Sequence, residues 1–472
     1  MKVLLATMSI EEKYRFEEHQ NAAYSLGLAY ISSYLKSNGH EVRILFLNND
    51  HEEKAEKIFL ETVDDFSPDI IGFQVFSMVR TSTFSMIEKL KDKNIKIVLG
   101  GIHATIMYEQ ILKKFPHVIV ALGEGEITLS EIADTLKYNT DIFNVKGLVY
   151  LDDNLKLVRT QPRELFREID SLPFPDHENY FDLEKNRTTA HMVTSRGCPF
   201  HCTFCALEVI SEGKVRKRSI DSVIEEIVYL KRKYPRIKHI QFHDDTMLLD
   251  NPRMIDFCKK IVDLKLDITY ECSTRVKPVS VELFTWMHKA GFTKIMFGLE
   301  SGSETILKSI KKKIKRQDVL NLFHILKNFD FVVTTFLICG FPGETDETIQ
   351  ETIDLVNETQ KLQYNLITGI GILWVYPGTE VYDSAKAAGM ITDDYWMTDA
   401  PVPYYTAEHT YDELSKFEEK IMNHVSLTKI FTYEGFKNHF MKMPFTILKY
   451  MVKNPRISLS ILKSSIYSML KK

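Results

Sequence analysis

Three cysteines with CxxxCxxC spacing are the residues of this chain best suited to chemistry. Cys198, Cys202 and Cys205 lie in the run Thr194-Ser-Arg-Gly-Cys-Pro-Phe-His-Cys-Thr-Phe-Cys-Ala206. Iron–sulfur clusters normally take four cysteine thiolates. The next cysteine is Cys258, far along the chain. The spacing therefore predicts a four-iron cluster with one iron left open for a substrate or cofactor, which indicates catalysis.

Two other interpretations of these cysteines stay open. One is a zinc site completed by His191, His201 or His243, and the other is three unrelated core cysteines. Structural zinc usually shows paired CxxC motifs, and the only CxxC here joins Cys202 to Cys205. Chance clustering is disfavoured because half of the six cysteines fall within eight positions.

The cysteine spacing resembles that of the radical S-adenosylmethionine enzymes, and Phe204 before the last cysteine fits their motif. The resemblance implies a [4Fe-4S] cluster on Cys198, Cys202 and Cys205. It also implies that S-adenosylmethionine chelates the open iron, and that its reductive cleavage gives a 5′-deoxyadenosyl radical.

Length and composition place the chain among ordinary globular proteins. Its 472 residues suffice for two or three domains, and 44% apolar with 26% charged residues is typical of a soluble fold. Met1 to Ala6 show no signal peptide, and the irregular cysteine spacing does not suggest a disulfide framework. No run reaches the ~18 apolar residues of a membrane span. We therefore expect a cytoplasmic protein.

The first 140 residues alternate short apolar runs with helix-like segments. This pattern predicts an α/β fold with a parallel, doubly wound sheet. We expect a helix over 26–36 and another over 82–91, and a hairpin turning at 152–154. The strand candidates are Val3–Ala6, Val42–Phe46, Ile70–Gln74, Ile97–Gly100 and Val118–Ala121.

From residue 188 the alternation continues with larger units. Six strand candidates begin at His191, His239, Ile268, Lys294, Val332 and Leu366. Six βα units favour a partial TIM-like barrel over the full eight. We predict four regions: a Rossmann-like domain over 1–145, a hairpin and linker over 146–187, a partial (βα)6 barrel over 188–400, and a helical C-terminal region over 401–472.

Polar or glycine-containing segments follow each barrel strand, where barrel enzymes hold their active sites. The segment after the fifth strand reads Gly340-Phe-Pro-Gly-Glu-Thr345. It is also compatible with a simple strand-to-helix turn, in which Pro342 fixes φ and Thr345 caps the following helix. Asp244 and Asp245, after the second strand, are also compatible with a solvated turn or a magnesium site, and Arg275 is also compatible with an ion pair to an acidic neighbour. The family resemblance implies S-adenosylmethionine contacts instead, at Phe204, Asp244, Asp245, Arg275, Glu300 and Gly340.

Three stretches of the first domain carry a second resemblance: Ser25-Leu-Gly-Leu-Ala-Tyr30, Gly100-Gly-Ile-His-Ala-Thr105 and Gly123-Glu-Gly-Glu126. Alone, each also suits a nucleotide site or a tight turn. In this order before the CxxxCxxC domain, they resemble the cobalamin-binding domain of cobalamin-dependent radical S-adenosylmethionine enzymes, over roughly residues 1–400. The implied cobalamin contacts are Leu26, Gly27, Phe76, Ser77, Met78, Gly100, Gly101, His103, Thr105, Gly123, Glu124 and Gly125.

The loop after the first strand departs from the broader cobalamin-binding pattern. It reads Thr7-Met-Ser-Ile-Glu-Glu-Lys-Tyr14, without the histidine that ligates cobalt in the methionine-synthase type. The radical subfamily commonly lacks it as well. We therefore expect no histidine ligand to cobalt, with residues 74–78 facing the lower side of the corrin and His103 near the nucleotide tail.

Two basic segments remain. We favour a solvated helix face for residues 308–316. Residues 437–472 hold eight Lys or Arg and no Asp or Glu, although the whole chain has a net charge of −4. Apolar residues among them indicate amphipathic helices. We favour packing on the barrel over peripheral contact with an anionic membrane.

The resemblance implies an enzyme that places both cofactors around a substrate between the two domains. We expect methylation of an unactivated carbon of a small-molecule or lipid substrate, through the deoxyadenosyl radical and methylcobalamin. It further implies an external reductant such as flavodoxin or ferredoxin, and we expect no nucleic-acid partner. The alternative is a cobalamin-dependent cyclase or ring-rearranging enzyme. A methylthiotransferase is disfavoured because no cysteine precedes Cys198, and a zinc-containing sensor is the rival from another class.

Overall fold

The computed structural model describes residues 1–10, 24–183, 187–363 and 365–425. Its N-terminal part is built on a seven-stranded sheet in the order β2-β1-β3-β4-β5-β6-β7. The first five strands in sequence pair in parallel, and β6 and β7 add an antiparallel hairpin. The strands are β1 (Lys2–Thr7), β2 (Glu41–Phe46), β3 (Ile70–Gln74), β4 (Lys96–Gly100), β5 (Ile119–Ala121), β6 (Leu148–Leu151) and β7 (Leu157–Arg159).

Helices connect these strands and bury their apolar faces. In α2, Ala55, Phe59, Val63 and Phe66 recur at helical spacing and are all buried, as expected for a helix packed on a sheet. Ser25 begins α1, because its Oγ accepts a hydrogen bond from the Leu28 backbone amide. The helices are α1 (Leu26–Ser37), α2 (Glu52–Phe66), α3 (Arg80–Leu90), α4 (Ile102–Ile106), α5 (Tyr108–Lys114) and α6 (Glu126–Tyr138).

The segment between the two sheets is docked on the N-terminal part. The Asp176 carboxylate accepts hydrogen bonds from Ser32 Oγ at 2.7 Å and Lys36 Nζ at 2.6 Å, both on α1. This segment holds a short 3-10 helix at Ile169–Ser171 and α7 (His177–Leu183), and another 3-10 helix, Ile142–Asn144, lies between α6 and β6. The docking fixes the approach of the chain to the second sheet.

The second sheet has six parallel strands in the order β15-β14-β13-β12-β11-β8. Its end strands, β8 and β15, do not pair with each other, so the barrel is open on one side. A two-stranded ribbon of β9 (Ser195–Arg196) and β10 (Arg216–Lys217) flanks the cysteine segment. The barrel strands are β8 (Thr189–Met192), β11 (His239–Phe242), β12 (Thr269–Thr274), β13 (Phe292–Glu300), β14 (Val332–Cys339) and β15 (Leu366–Ile372).

Helices cover the outer face of this sheet. Thr345 begins α14 as predicted, with its side chain accepting from the Thr348 amide. Additional 3-10 turns span Met247–Leu249 and Asp393–Met397. The helices are α8 (Glu208–Ser211), α9 (Ile220–Lys233), α10 (Asn251–Leu264), α11 (Val281–Ala290), α12 (Glu304–Ser309), α13 (Arg316–Leu326), α14 (Asp346–Leu362), α15 (Glu380–Ala387) and α16 (Tyr411–Met422).

The predicted fold class is confirmed: a Rossmann-like sheet precedes a partial (βα)6 barrel, with the helix α16 after it. The predicted amphipathic helices among residues 437–472 lie outside the described residues. Over the ranges that the structure describes, no helix has both the length and the apolar character to span a membrane.

Candidate functional site

The three motif cysteines share one loop after β8. Cys198 and Cys202 are partly buried and Cys205 is exposed. Burial raises the pKa of the Cys198 and Cys205 thiols, and the neighbouring motif thiols raise both further.

Backbone contacts fix the path of this loop. Thr203 N donates to Ile310 O at 3.2 Å, and Val381 N donates to Thr203 O at 3.1 Å, so segments after β13 and β15 hold it. Gly197, immediately before the first cysteine, has φ +92°, and a Cβ there would lie 2.1 Å from Lys214 O. Only glycine fits at this position.

The geometry disfavours the zinc alternative. His191 Nδ1 lies 2.8 Å from His243 Nε2, and His201 Nδ1 pairs with Glu208 at 2.7 Å, so the three candidate histidines have other partners. Among the described residues, no group of three or more His, Cys, Asp or Glu side chains is arranged to hold a single metal ion. A cluster places its thiolates farther apart than one ion does, because each binds a different iron.

A cavity of about 540 Å³ lies between the two sheets, within the usual range for ligand sites. One wall comes from the strand ends and helix starts of the first sheet, including Gly27, Gly100 and Gly125. The opposite wall comes from the segment before the cysteines and from the loop after β11, including Arg196, Gly197 and Asp245. The first sheet and the segment that leads into the cysteine loop therefore face one space.

Comparison with known proteins identifies both halves. The Radical SAM superfamily profile matches residues 192–356, and the B12 binding domain profile matches residues 17–133. An uncharacterised methyltransferase of Pyrococcus horikoshii is 30% identical, over 87% of this chain and 91% of the relative. The chain belongs to the cobalamin-binding radical S-adenosylmethionine enzymes.

Other similar proteins include a cyclase and a methyltransferase. The anaerobic magnesium-protoporphyrin IX monomethyl ester cyclase of Rubrivivax gelatinosus is 26% identical, over 70% of this chain and 61% of the cyclase. The radical S-adenosylmethionine methyltransferase TsrM of Kitasatospora setae, solved with cobalamin and a [4Fe-4S] cluster, shares the fold. Its TM-score is 0.67 at 18% identity, covering 83% of this chain and 76% of TsrM. The chain is a radical enzyme that uses a [4Fe-4S] cluster, S-adenosylmethionine and cobalamin.

Eight of the twelve residues predicted to contact cobalamin line the cavity. Gly123 suits a cradle for a large ligand, because a Cβ there would meet nothing within 4 Å. Gly101 is required by the backbone, since its φ is +91° and a Cβ would lie 2.9 Å from Val75 O. The eight are Leu26, Gly27, Phe76, Gly100, Gly101, Gly123, Glu124 and Gly125.

The other four, Ser77, Met78, His103 and Thr105, do not line this cavity. His103 is fully buried, with Nδ1 2.9 Å from Ser77 Oγ. Burial, with the nearby Arg80 charge, lowers the pKa of His103 to about 3, so the ring is neutral. Thr105 lines a smaller neighbouring cavity of about 280 Å³ and accepts from Gly123 N at 3.2 Å. These residues support the cavity wall from behind.

A charged cluster joins the first sheet to the cysteine segment. Arg196 Nη1 lies 3.0 Å from Glu124 Oε1, and its Nη2 lies 2.7 Å from Glu126 Oε1. Arg216 Nη1 contacts Glu124 Oε2 at 2.7 Å. Burial raises the pKa of Glu124, but the Arg216 hydrogen bond and the two guanidinium charges outweigh it and hold that pKa below its ordinary value. Glu124 thus ties the two halves together.

The two aspartates after β11 differ in their contacts. Asp244 is buried and accepts from Thr194 N at 2.8 Å, Thr194 Oγ1 at 2.7 Å and Ser195 Oγ at 2.6 Å. Asp245 accepts from Gly197 N at 2.9 Å and lines the cavity. Burial raises the pKa of both carboxyl groups. Asp244 braces the cysteine segment, and Asp245 faces the open space.

Arg275 lies against the cysteine loop. Its guanidinium stacks on the Phe200 ring at 3.7 Å, and Nη1 is 3.6 Å from Cys202 Sγ. Nη2 donates to the Lys312 carbonyl. The structure therefore places a buried cation beside a motif thiol, a contact that the sequence did not predict.

Glu300 is paired with Lys312, whose Nζ lies 2.7 Å from Glu300 Oε1. Both side chains are buried, and Glu300 has φ +66° at a register shift of β13. The favoured interpretation of residues 308–316 as a solvated helix face is wrong, because 310–315 form a loop with buried Ile310, Lys312 and Ile314. The isoleucines at 310 and 314, on either side of Lys312, were the sequence signal that this segment is partly buried.

The predicted Gly340 segment packs beside the cysteine loop. The rings of Phe204 and Phe341 lie 5.4 Å apart. The Glu344 carboxylate accepts from the backbone amides of Gly340 and Phe341. Burial raises the pKa of Glu344 to about 7, against the opposing effect of those two hydrogen bonds. The backbone of this turn is therefore held by its own glutamate.

Proposed function

We propose that this enzyme methylates an unactivated carbon of a small-molecule or lipid substrate. The observation that carries the proposal is the cavity between the sheets, because its walls combine the glycine-rich strand ends of the B12 domain with the segment that leads into the cysteine loop. When bound, the cluster supplies the electron that cleaves S-adenosylmethionine, and cobalamin carries the methyl group. The 30% identical relative is a methyltransferase, which supports the same reaction class.

We propose Cys198, Cys202 and Cys205 as the cluster ligands. These residues fit a [4Fe-4S] cluster, because three thiols lie in one partly buried loop and the Arg275 cation lies beside Cys202. A cation favours thiolates over thiols. Cys258, Cys272 and Cys339 are fully buried in α10, β12 and β14 and are excluded from this role.

We assign the predicted S-adenosylmethionine contacts to the barrel mouth. Asp245 is the carboxylate that faces the cavity, which suits the cofactor's ammonium group, while Asp244 holds Thr194 and Ser195 in place. Arg275 and the Glu300–Lys312 pair lie at the ends of adjacent strands. They supply a cation for a carboxylate and an acceptor for hydroxyls. Phe204 and the Gly340 turn complete this edge.

We propose domain boundaries at about residues 145, 187 and 400, which fall between the elements described above. We place cobalamin against the eight lining residues without a histidine ligand to cobalt. In support, His103 is engaged with Ser77 behind the cavity wall.

The decisive experiment is anaerobic turnover with S-adenosylmethionine carrying an isotopically labelled methyl group, in extracts of the native host. Mass spectrometry should find labelled product together with 5′-deoxyadenosine. Cyclisation, the reaction of the Rubrivivax gelatinosus relative, would give 5′-deoxyadenosine and a product without label. That outcome would replace methylation by cyclisation while keeping the radical chemistry.

A further inference from the structure

The inner face of the open barrel carries exposed apolar side chains. Phe336 on β14 is 44% exposed, and Ile367 on β15 is 46% exposed. On β14 the alternate residues Val333, Thr335 and Leu337 face the helices and are at most 2% exposed. Because side chains alternate along a strand, Phe336 and Ile367 must point into the lumen.

The strand register extends this apolar surface. Thr334 pairs with Ile367, Phe336 with Gly369, and Ile338 with Gly371, so these pairs share the inner face. Met296 on β13 joins them, opposite Thr334. We call the side chains of Met296, Phe336, Ile338 and Ile367, with Gly369 and Gly371 between them, the apolar wall.

The other half of the lumen is polar. Gln241 pairs in register with His191 and Glu271, and Glu271 with Lys294, so all four share the inner face. Glu271 Oε2 lies 3.5 Å from Lys294 Nζ and 3.4 Å from His239 Nε2. The barrel interior thus has one wall that suits hydrocarbon and one that suits polar groups.

The apolar wall leads directly to the proposed reaction centre. Ile338 and Phe336 precede Gly340 by two and four residues, which is about 7 and 13 Å along a strand. Room for a ligand exists there, since a Cβ at Gly371 would meet nothing within 4 Å. A ligand on this wall would reach the barrel mouth that holds the cysteine loop.

We propose that the apolar wall binds the hydrocarbon part of an amphipathic substrate, whose polar group faces Gln241, Glu271 and Lys294. This inference rests on the proposed function and names its substrate class. Apolar side chains that line a concave space beside a few polar groups are typical of small-molecule sites, and the position of this wall below the reaction centre makes its occupant the substrate. An acyl chain and an isoprenoid chain share the chemistry that this wall recognises.

The test uses the full-length, cofactor-loaded protein under anaerobic conditions and cis-parinaric acid, a fatty acid whose fluorescence rises in apolar surroundings. Wild type should bind the probe. Palmitate and farnesol should compete to different degrees and so distinguish acyl from isoprenoid chains, and glucose 6-phosphate should not compete. Gly371→Leu, which fills the lumen without strained φ, should weaken probe binding at least tenfold.

Phe336→Gln should weaken probe binding by about tenfold, because a large part of one aromatic contact is lost. The control is Val281→Gln, which removes an exposed apolar side chain on α11, outside the barrel. It should bind the probe like wild type. Iron and cobalamin contents should stay normal in all three variants.

Unchanged probe affinity in both Gly371→Leu and Phe336→Gln would overturn the inference. A changed oligomeric state in Phe336→Gln with unchanged probe binding would also overturn it, because the wall would then join two copies of the chain. Failure of the proposed function looks different: S-adenosylmethionine cleavage or label transfer would be absent while the two variants still weaken probe binding.

Discussion

The two sides of the central cavity differ in the residue types that line them. The B12 side presents glycines and apolar side chains, such as Gly27, Gly100 and Leu26. The cluster side presents buried charged groups in contact with polar partners, such as Asp244 with Thr194 and Arg275 with Cys202. On the first side, the shape of the wall decides which ligand fits, so a large added side chain should matter there. The second depends on partners, where loss of one group leaves another unpaired.

The sharpest contrast concerns cysteine. Cys202→Ala should lose most of the bound iron, since two thiolates remain for a cluster, whereas cobalamin affinity should stay normal. Iron and acid-labile sulfide analysis after anaerobic reconstitution measures this. Cys258→Ala is the control: it should keep its iron and lose only about 1 kcal/mol of stability from a small cavity. Full iron loading in Cys202→Ala would show that the loop is not the cluster site.

Cobalamin affinity should fall with the volume added on the B12 side. Gly100 has room for a Cβ, whose nearest contact would be Ala121 O at 3.9 Å. Gly100→Ala should therefore be mild, and Gly100→Leu should fill the cavity and lower cobalamin affinity by about a hundredfold, or about 2.7 kcal/mol. Titration followed by absorbance of bound cobalamin tests both. Equal affinities in the two variants would mean that cobalamin does not contact this edge.

Glu124 lies where the two sides meet. Glu124→Gln should lower the free energy of unfolding by about 2 kcal/mol, because Arg196 and Arg216 lose a charged partner. Cobalamin affinity should change less than stability. Chemical denaturation and cobalamin titration of the same variant compare the two effects. A large loss of affinity with wild-type stability would assign Glu124 to the cofactor instead.

The last prediction concerns the pH dependence of stability on the cluster side alone. The folded pKa of Glu344 is about 7, above its ordinary value of 4.5. The native state therefore binds more protons, and its stability should fall as pH rises from about 4.5 to 7. Relative to Glu344→Gln, wild type should lose about 1 to 3 kcal/mol over this interval. Parallel denaturation curves at pH 5 and pH 7 would contradict the assignment.

Much of the architecture could be predicted from local pattern. The strands Ile70–Gln74, Val332–Cys339 and Leu366–Ile372 begin where predicted, because buried parallel strands appear as short apolar runs between helical segments. The hairpin turn and the start of α14 at Thr345 follow from turn and capping chemistry, which is also local. The cysteine motif belongs to the same category, since its spacing is a property of one loop.

The roles of the charged side chains could be assigned only from the tertiary structure. Glu124, predicted at the cofactor, pairs with Arg196 and Arg216, more than seventy residues away. Lys312, predicted in a solvated face, is buried against Glu300 because the loop after α12 folds under the barrel mouth. A carboxylate's partner depends on which groups the fold brings within hydrogen-bonding distance. The sequence by itself determined the elements, the cysteine loop and the family, and only the three-dimensional arrangement decided which charges brace the site and which face the cavity.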